Sequence, residues 1–130
     1  HYYFRDFFYS DSGMLACILI LNVVSKMKRK GISLSQLIGS IATYANSGEI
    51  NFRIEKKQEA MDAVRNFFTA TEKPVAIYDF DGYRVEFSDW WFNIRPSNTE
   101  PYLRFIAEAK STEMLDAKVS QVRRIIEEMK

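Results

Sequence analysis

The chain has 130 residues, 47% of them hydrophobic and 15% aromatic, enough to build a core and to exclude intrinsic disorder. Lys+Arg 18 against Asp+Glu 17 leaves a net charge of +1, too little for a global field that would gather nucleic acid or a membrane surface. A single cysteine, Cys17, excludes an internal disulfide framework and a multi-cysteine zinc site, and the longest apolar run, Met14 to Leu21, is far short of a membrane span.

The opening run, His1-Tyr-Tyr-Phe-Arg-Asp-Phe-Phe-Tyr9, lacks Met and is dense in aromatics, which predicts the interior of a longer protein. A helix follows, with Asp11 or Ser12 as its cap and apolar residues on every side from Met14 to Val24. That pattern predicts burial on both faces, with Cys17 as inert core. Its end is basic and closes at Gly31, which suits the helix dipole and a left-handed cap. Ser33-Leu-Ser-Gln36 is a capping box that opens a second helix, with Leu34, Leu37, Ile38 and Ile41 on one side. Periodicity stops at Tyr44-Ala-Asn-Ser-Gly48, where the charge balance also changes sign. This stretch is expected to be a boundary, with Asn46-Ser47-Gly48 as a hinge.

Beyond it, Glu49 to Ile54 reads as a strand and Lys57 to Phe68 as an amphipathic helix. Val75–Phe80, Tyr83–Phe87 and Trp90–Ile94 read as strands, the first two joined by Asp81-Gly82 as a short hairpin. Tyr102–Ala109 is a further strand, and a last helix from Thr112 carries the stripe Leu115, Val119, Val122, Ile126 and Met129. The expected class is α+β: a mostly antiparallel, four-stranded sheet with helices packed on one face.

The segment Arg95-Pro-Ser-Asn-Thr-Glu-Pro101 lies between two of these strands and is unusually polar. Arg95 offers a planar fork of donors matched to phosphate. Ser97, Asn98 and Thr99 add polar side chains, and a tight loop can turn successive backbone N–H groups toward one anion. An ordinary turn accounts for the same residues, because Ser, Asn and Pro are turn formers. Asp79 and Asp81 flank a turn and supply too few oxygens for a cation loop, so no metal ligand is assigned here. His1, the only histidine, is either a proton carrier or phosphate contact, or a flexible end. The cluster Trp90-Trp91-Phe92 alternates. Trp90 and Phe92 are expected in the core, with Trp91, Asn93 and Arg95 on the outer face beside Tyr102 and Arg104. That outer face also permits a base-stacking platform or a protein-contact surface.

Three stretches together resemble the α-D-phosphohexomutases, in their phosphomannomutase/phosphoglucomutase branch. His1-Tyr-Tyr-Phe-Arg-Asp with Ser10-Asp-Ser-Gly13 resembles the run after that family's sugar-recognition loop. Ser47-Gly-Glu-Ile-Asn51 resembles the start of its last domain. Asp81-Gly-Tyr-Arg-Val with Trp91-Phe-Asn-Ile-Arg-Pro-Ser-Asn-Thr-Glu-Pro101 resembles that domain's hairpin and phosphate-binding loop. The resemblance implies that residues 1–45 are the tail of a third, α/β domain (a strand plus two helices). Residues 46–130 are then a TBP-like fourth domain with its phosphate loop at 95–101. It also implies an isomerase that interconverts hexose 1-phosphate and 6-phosphate through a bisphosphorylated intermediate. The phosphoserine and Mg²⁺ of such an enzyme would be held by N-terminal domains outside these residues. By the same resemblance, Arg95, Ser97, Asn98 and Thr99 would grip the non-transferring phosphate of a mannose or glucose phosphate. Arg104 would support them, His1 would follow the sugar loop, and these residues alone would be inactive. Neither nucleic acid nor membrane is an expected partner, and the cytoplasm is the expected location. The competing reading is a non-catalytic sheet module that binds RNA or protein. The near-zero charge and the lack of a complete RNP-type strand count against RNA.

Overall fold

In the computed structural model, which describes residues 1–130, Ser12 caps the first long helix by accepting a hydrogen bond from the Leu15 amide at 3.1 Å. This helix, α1, spans Gly13–Arg29. It ends in a Schellman motif: Gly31 sits at φ +76°, its N–H donates to the Lys28 carbonyl, and the Ile32 N–H donates to the Met27 carbonyl. The expected capping box is formed, with Ser33 and Gln36 bonded reciprocally at the start of α2, Leu34–Ile41. Ahead of α1, the two-residue strands β1 (Tyr3–Phe4) and β2 (Ser10–Asp11) pair antiparallel. The turn between them holds Phe8 and Tyr9 at φ 54° each. These elements make up one of two compact units, His1–Thr43; the other is Tyr44–Lys130.

The first unit corrects one expectation. Only Ala16 of α1 is buried, whereas Ile18, Leu19, Ile20, Leu21 and Val23 are all exposed, and so is Cys17. A helix that is apolar on every side needs packing partners on every side. One short helix and a two-residue ribbon supply too little surface.

The second unit is built on an antiparallel sheet. Its strands are β3 (Ala45–Asn46), β4 (Ile50–Arg53), β5 (Ala76–Tyr78), β6 (Tyr83–Glu86), β7 (Trp90–Pro96) and β8 (Tyr102–Ala109). The order is β3-β8-β7-β6-β5, with β4 also paired to β8. The α+β class read from the sequence is therefore present, on a sheet wider than four strands. Along β7 as far as Arg95, and along all of β8, burial alternates, so one face is core and the other is open. Two helices, α3 (Lys57–Thr71) and α4 (Thr112–Glu127), cover the core face. Val64 and Phe68 from α3, Phe92 and Phe105 from the sheet, and Val122 and Ile126 from α4 share one core cluster and are all fully buried. Phe87 stacks on Trp90 at 4.8 Å between ring centres, and Phe68 meets Trp90 edge-on at 4.8 Å.

Two further expectations change. The stretch Tyr44–Gly48 is not a free linker, because Ala45 and Asn46 pair with β8. The Ser47 hydroxyl oxygen accepts from the Ala107 amide at 2.9 Å, and the Ser47 amide donates to the Ala107 carbonyl. A hinge at residues 46–48 would have to break these bonds. The hairpin expected at Asp81-Gly82 is present, joining β5 to β6 antiparallel, but its loop is longer than those two residues. The pairs Ala76↔Glu86, Ile77↔Val85 and Tyr78↔Arg84 centre on Asp81, so the loop is odd-numbered. A type I′ turn needs positive φ at both central residues, and Gly82 alone has it, at +75°.

Candidate anion-binding site

Strand β7 carries Trp91, Asn93 and Arg95 to the open face of the sheet, and β8 carries Tyr102 and Arg104 there. Arg95 and Arg104 stand directly opposite one another across the β7–β8 pair. Like charges in that register repel. Each has one acidic neighbour: Asp81 lies 3.7 Å from Arg95, and Glu49 lies 4.0 Å from Arg104. Both separations exceed hydrogen-bond length, so the guanidinium donors are left available. Glu49, Asn93, Arg95, Arg104 and Ile106 line an open concavity of about 250 Å³ between them.

Gly82 seats the β5–β6 loop against this arginine. A Cβ at Gly82 would lie 2.7 Å from the Arg95 Cα and 2.8 Å from its Cβ, and closer still to the Ile94 carbonyl oxygen. Only a glycine permits so close an approach at positive φ.

Past Pro96 the chain leaves the sheet for residues 97–101. The Ser97 amide donates to the Tyr102 carbonyl at 2.8 Å and closes the loop at its base. The Ile54 amide donates to the Pro101 carbonyl at 3.0 Å. From the first turn of α3, the half-buried Lys57 reaches 40 residues along the chain. Its ammonium donates to the Ser97 carbonyl at 2.7 Å and to the Glu100 carbonyl at 2.6 Å. Ser97 is buried, whereas Asn98, Thr99 and Glu100 are exposed. No hydrogen bond within the chain engages the amide N–H groups of Asn98, Thr99 or Glu100. The loop thus turns the Ser97 and Glu100 carbonyls to the Lys57 ammonium and leaves the amides of the exposed residues 98–100 without a partner in the chain.

Arg95, Ser97, Asn98, Thr99 and Arg104 all stand in the second unit, around this loop. His1 stands in the first unit, where its Nδ1 pairs with Asp11; Asp11 also accepts from the Tyr2 amide at 2.7 Å. The open face is not a bare stacking platform. The Arg84 guanidinium covers the Trp91 ring at 4.2 Å, and the Trp91 indole N–H donates to Glu108 at 3.1 Å. Sequence reasoning missed Lys57. The available signal was a Lys56-Lys57 pair opening a helix, the end at which cations are disfavoured.

An antiparallel sheet backed by two helices, with a polar loop at the end of its central strands, defines an α+β domain. Residues 49–125 match the family profile "phosphoglucomutase/phosphomannomutase, C-terminal domain". The chain is 34% identical over 97% of its length to a phosphomannomutase of Methanocaldococcus jannaschii and 37% identical over 99% to one of Vibrio cholerae. It covers 26% and 27% of those relatives, and so spans about a quarter of their length. A crystal structure of a phosphoglucomutase/phosphomannomutase family protein from Burkholderia thailandensis overlays with a TM-score of 0.50 at 25% identity, covering 72% of this chain and 19% of that one. The chain belongs to the phosphoglucomutase/phosphomannomutase family, and residues 49–125 are its C-terminal domain.

Proposed function

We propose that residues 46–130 form the fourth domain of a phosphohexomutase and residues 1–45 the tail of its third. The parent enzyme interconverts hexose 1-phosphate and 6-phosphate through a bisphosphorylated intermediate, and the loop at 95–101 grips whichever phosphate is not being transferred. The observation that supports this most is a loop entered from Arg95 whose exposed residues Asn98, Thr99 and Glu100 have backbone amides with no partner within the chain. Arg95 supplies the charged, forked contact and the Asn98 and Thr99 amides and side chains supply neutral donors, whereas Ser97, assigned to the same grip by the resemblance, is buried with its amide committed to Tyr102 and serves at the loop base. Arg104 adds charge from the neighbouring strand. Holding one phosphate fixes the sugar while the other is aligned, which is catalysis by positioning.

The family implies Mg²⁺ in the whole enzyme. No group of three or more His, Cys, Asp or Glu side chains converges in this chain. These residues therefore do not fit a resident cation, and no step here runs through one. Phosphoryl donation from a phosphoserine likewise belongs to residues outside this chain. No helix is long and apolar enough to cross a membrane, and a cytoplasmic location fits a sugar-phosphate substrate.

The test is a titration of the ¹⁵N-labelled chain with mannose 1-phosphate and, separately, with mannose. The sugar phosphate should shift the Asn98 and Thr99 amides and the Arg95 Nε–H saturably, and mannose should not. Equal responses to both, or none at the loop, would remove the phosphate assignment.

A further inference from the structure

We infer that Lys57 is a positioning residue of this loop: it never touches the anion, but aims and polarises the amide that does. The inference rests on the phosphate reading above and adds a residue to it.

The geometry follows from the peptide bond. A trans peptide unit is planar, so its C=O and N–H point in opposite directions. The Lys57 ammonium holds the Ser97 carbonyl at 2.7 Å on the α3 side, and the other end of that peptide unit is the Asn98 N–H. Fixing the carbonyl on Lys57 therefore directs the Asn98 N–H away from α3, at a residue that is exposed. A cation on the carbonyl also draws electron density through the peptide and strengthens the N–H as a donor. The second bond, to Glu100 at 2.6 Å, has a different use. The next residue is Pro101, which has no N–H to aim, so this bond is an anchor. The two bonds bracket Asn98 and Thr99 and restrict the loop before any ligand arrives, which lowers the ordering cost at binding. The placement also explains a local oddity. A lysine in the first turn of α3 opposes the helix dipole, and its ammonium turns away to the loop carbonyls.

The experiment compares wild type, Lys57→Met and Lys57→Gln in the ¹⁵N-labelled chain, titrated with inorganic phosphate at low and at moderate salt. Lys57→Met keeps the stem and loses both donors. Phosphate binding, read from the Asn98 amide, should weaken about three- to tenfold, the scale of one charged hydrogen bond acting indirectly. The ligand-free Asn98 amide should also move upfield. The ratio between wild type and variant should survive added salt, because positioning is local; a mere long-range charge effect would be screened away and would overturn the inference. Unchanged affinity in folded Lys57→Met would overturn it as well. Should Lys57→Met not fold, Lys57→Gln decides: its amide still donates to one carbonyl without charge, so a weakening of about threefold is expected and none refutes. If wild type itself fails to respond at Asn98 and Thr99, the phosphate reading falls, an outcome distinct from a wild type that binds and variants that bind equally well.

Discussion

Arg95 is paired with Asp81 at 3.7 Å, too far for a hydrogen bond, and so keeps its fork for a ligand. Arg95→Lys retains the charge and loses the planar two-donor geometry. In the parent enzyme we expect kcat/KM to fall in both directions by roughly ten- to hundredfold, equivalent to about 1.5–3 kcal/mol for a charged hydrogen bond. Thermal melting should stay near wild type. A sharp loss of melting temperature with unchanged sugar-phosphate affinity would make Arg95 an anchor of the strand end instead. Thr99→Val removes one neutral hydroxyl and should lower kcat/KM less than Arg95→Lys. A second titratable site binds α3 to β6. The Tyr83 hydroxyl donates to Asp62 at 2.6 Å, with Gln58 and Arg65 alongside, and these contacts hold the Asp62 carboxyl below the ordinary range. The same bond raises the Tyr83 pKa. For Asp62 the folded pKa is the lower one, so its contribution is present above the unfolded value, about 3.9, and is lost as pH falls through the folded value. For Tyr83 the contribution is present below about pH 10 and is lost as pH rises through the raised value. Asp62→Asn should therefore melt below wild type at pH 7, and the gap should close toward pH 2. A gap independent of pH would place the effect in packing.

At the scale of elements, the β5–β6 loop and β7 behave as one piece because Gly82 lies against the Ile94–Arg95 backbone. Gly82→Ala meets two obstacles at once. The left-handed conformation costs a non-glycine residue about 1–2 kcal/mol, and overpacking against backbone adds typically 1–3 kcal/mol. We expect a destabilisation of about 2–5 kcal/mol in urea unfolding, with the Arg95 Nε–H resonance displaced in whatever remains folded. A neutral substitution would show that the loop is free to lift off. Behind the sheet, Glu72 at the end of α3 accepts from the Trp90 indole at 2.9 Å and from Lys118 of α4. Burial alone would raise its pKa, and the two donors overcome this and hold it low. That knot ties both helices to the start of the strand that carries Arg95.

At the scale of the molecule, the chain spans about a quarter of its curated relatives. It gathers neither a metal-binding cluster nor, on the reading above, the phosphoryl donor. A coupled assay with the purified 130-residue chain and mannose 1-phosphate should show no turnover above buffer. Turnover by the chain alone would overturn the division of labour proposed for the parent. Much of the second unit follows from local sequence. The strand Tyr102–Ala109 and the α4 start at Thr112 fall where periodicity places them. The in–out alternation of Trp90, Trp91 and Phe92 follows from a period of two. The Ser33 box and the Gly31 terminus are encoded within four residues of where they act. Local rules reach that far because caps, turns and side-chain periods depend on near neighbours along the chain.

What those rules do not reach are contacts whose partners lie tens of residues apart. Lys57 looks like a solvated lysine until α3 packs beside the β7–β8 loop and brings the Ser97 and Glu100 carbonyls within 2.7 Å. Ala45 and Asn46 look like a linker until β8 offers an edge to pair with. The apolar surround of α1 signals burial, yet burial is a property of what packs against a helix, and its apolar side chains are exposed. Local sequence specifies the helices, the longer strands of the second unit with their inner and outer faces, and the polar loop led by Arg95. Tertiary structure decided which carbonyls of that loop are held, which amides are free, and which glycine lets the arginine sit where it does, because each depends on a close approach between distant segments that no local spacing records.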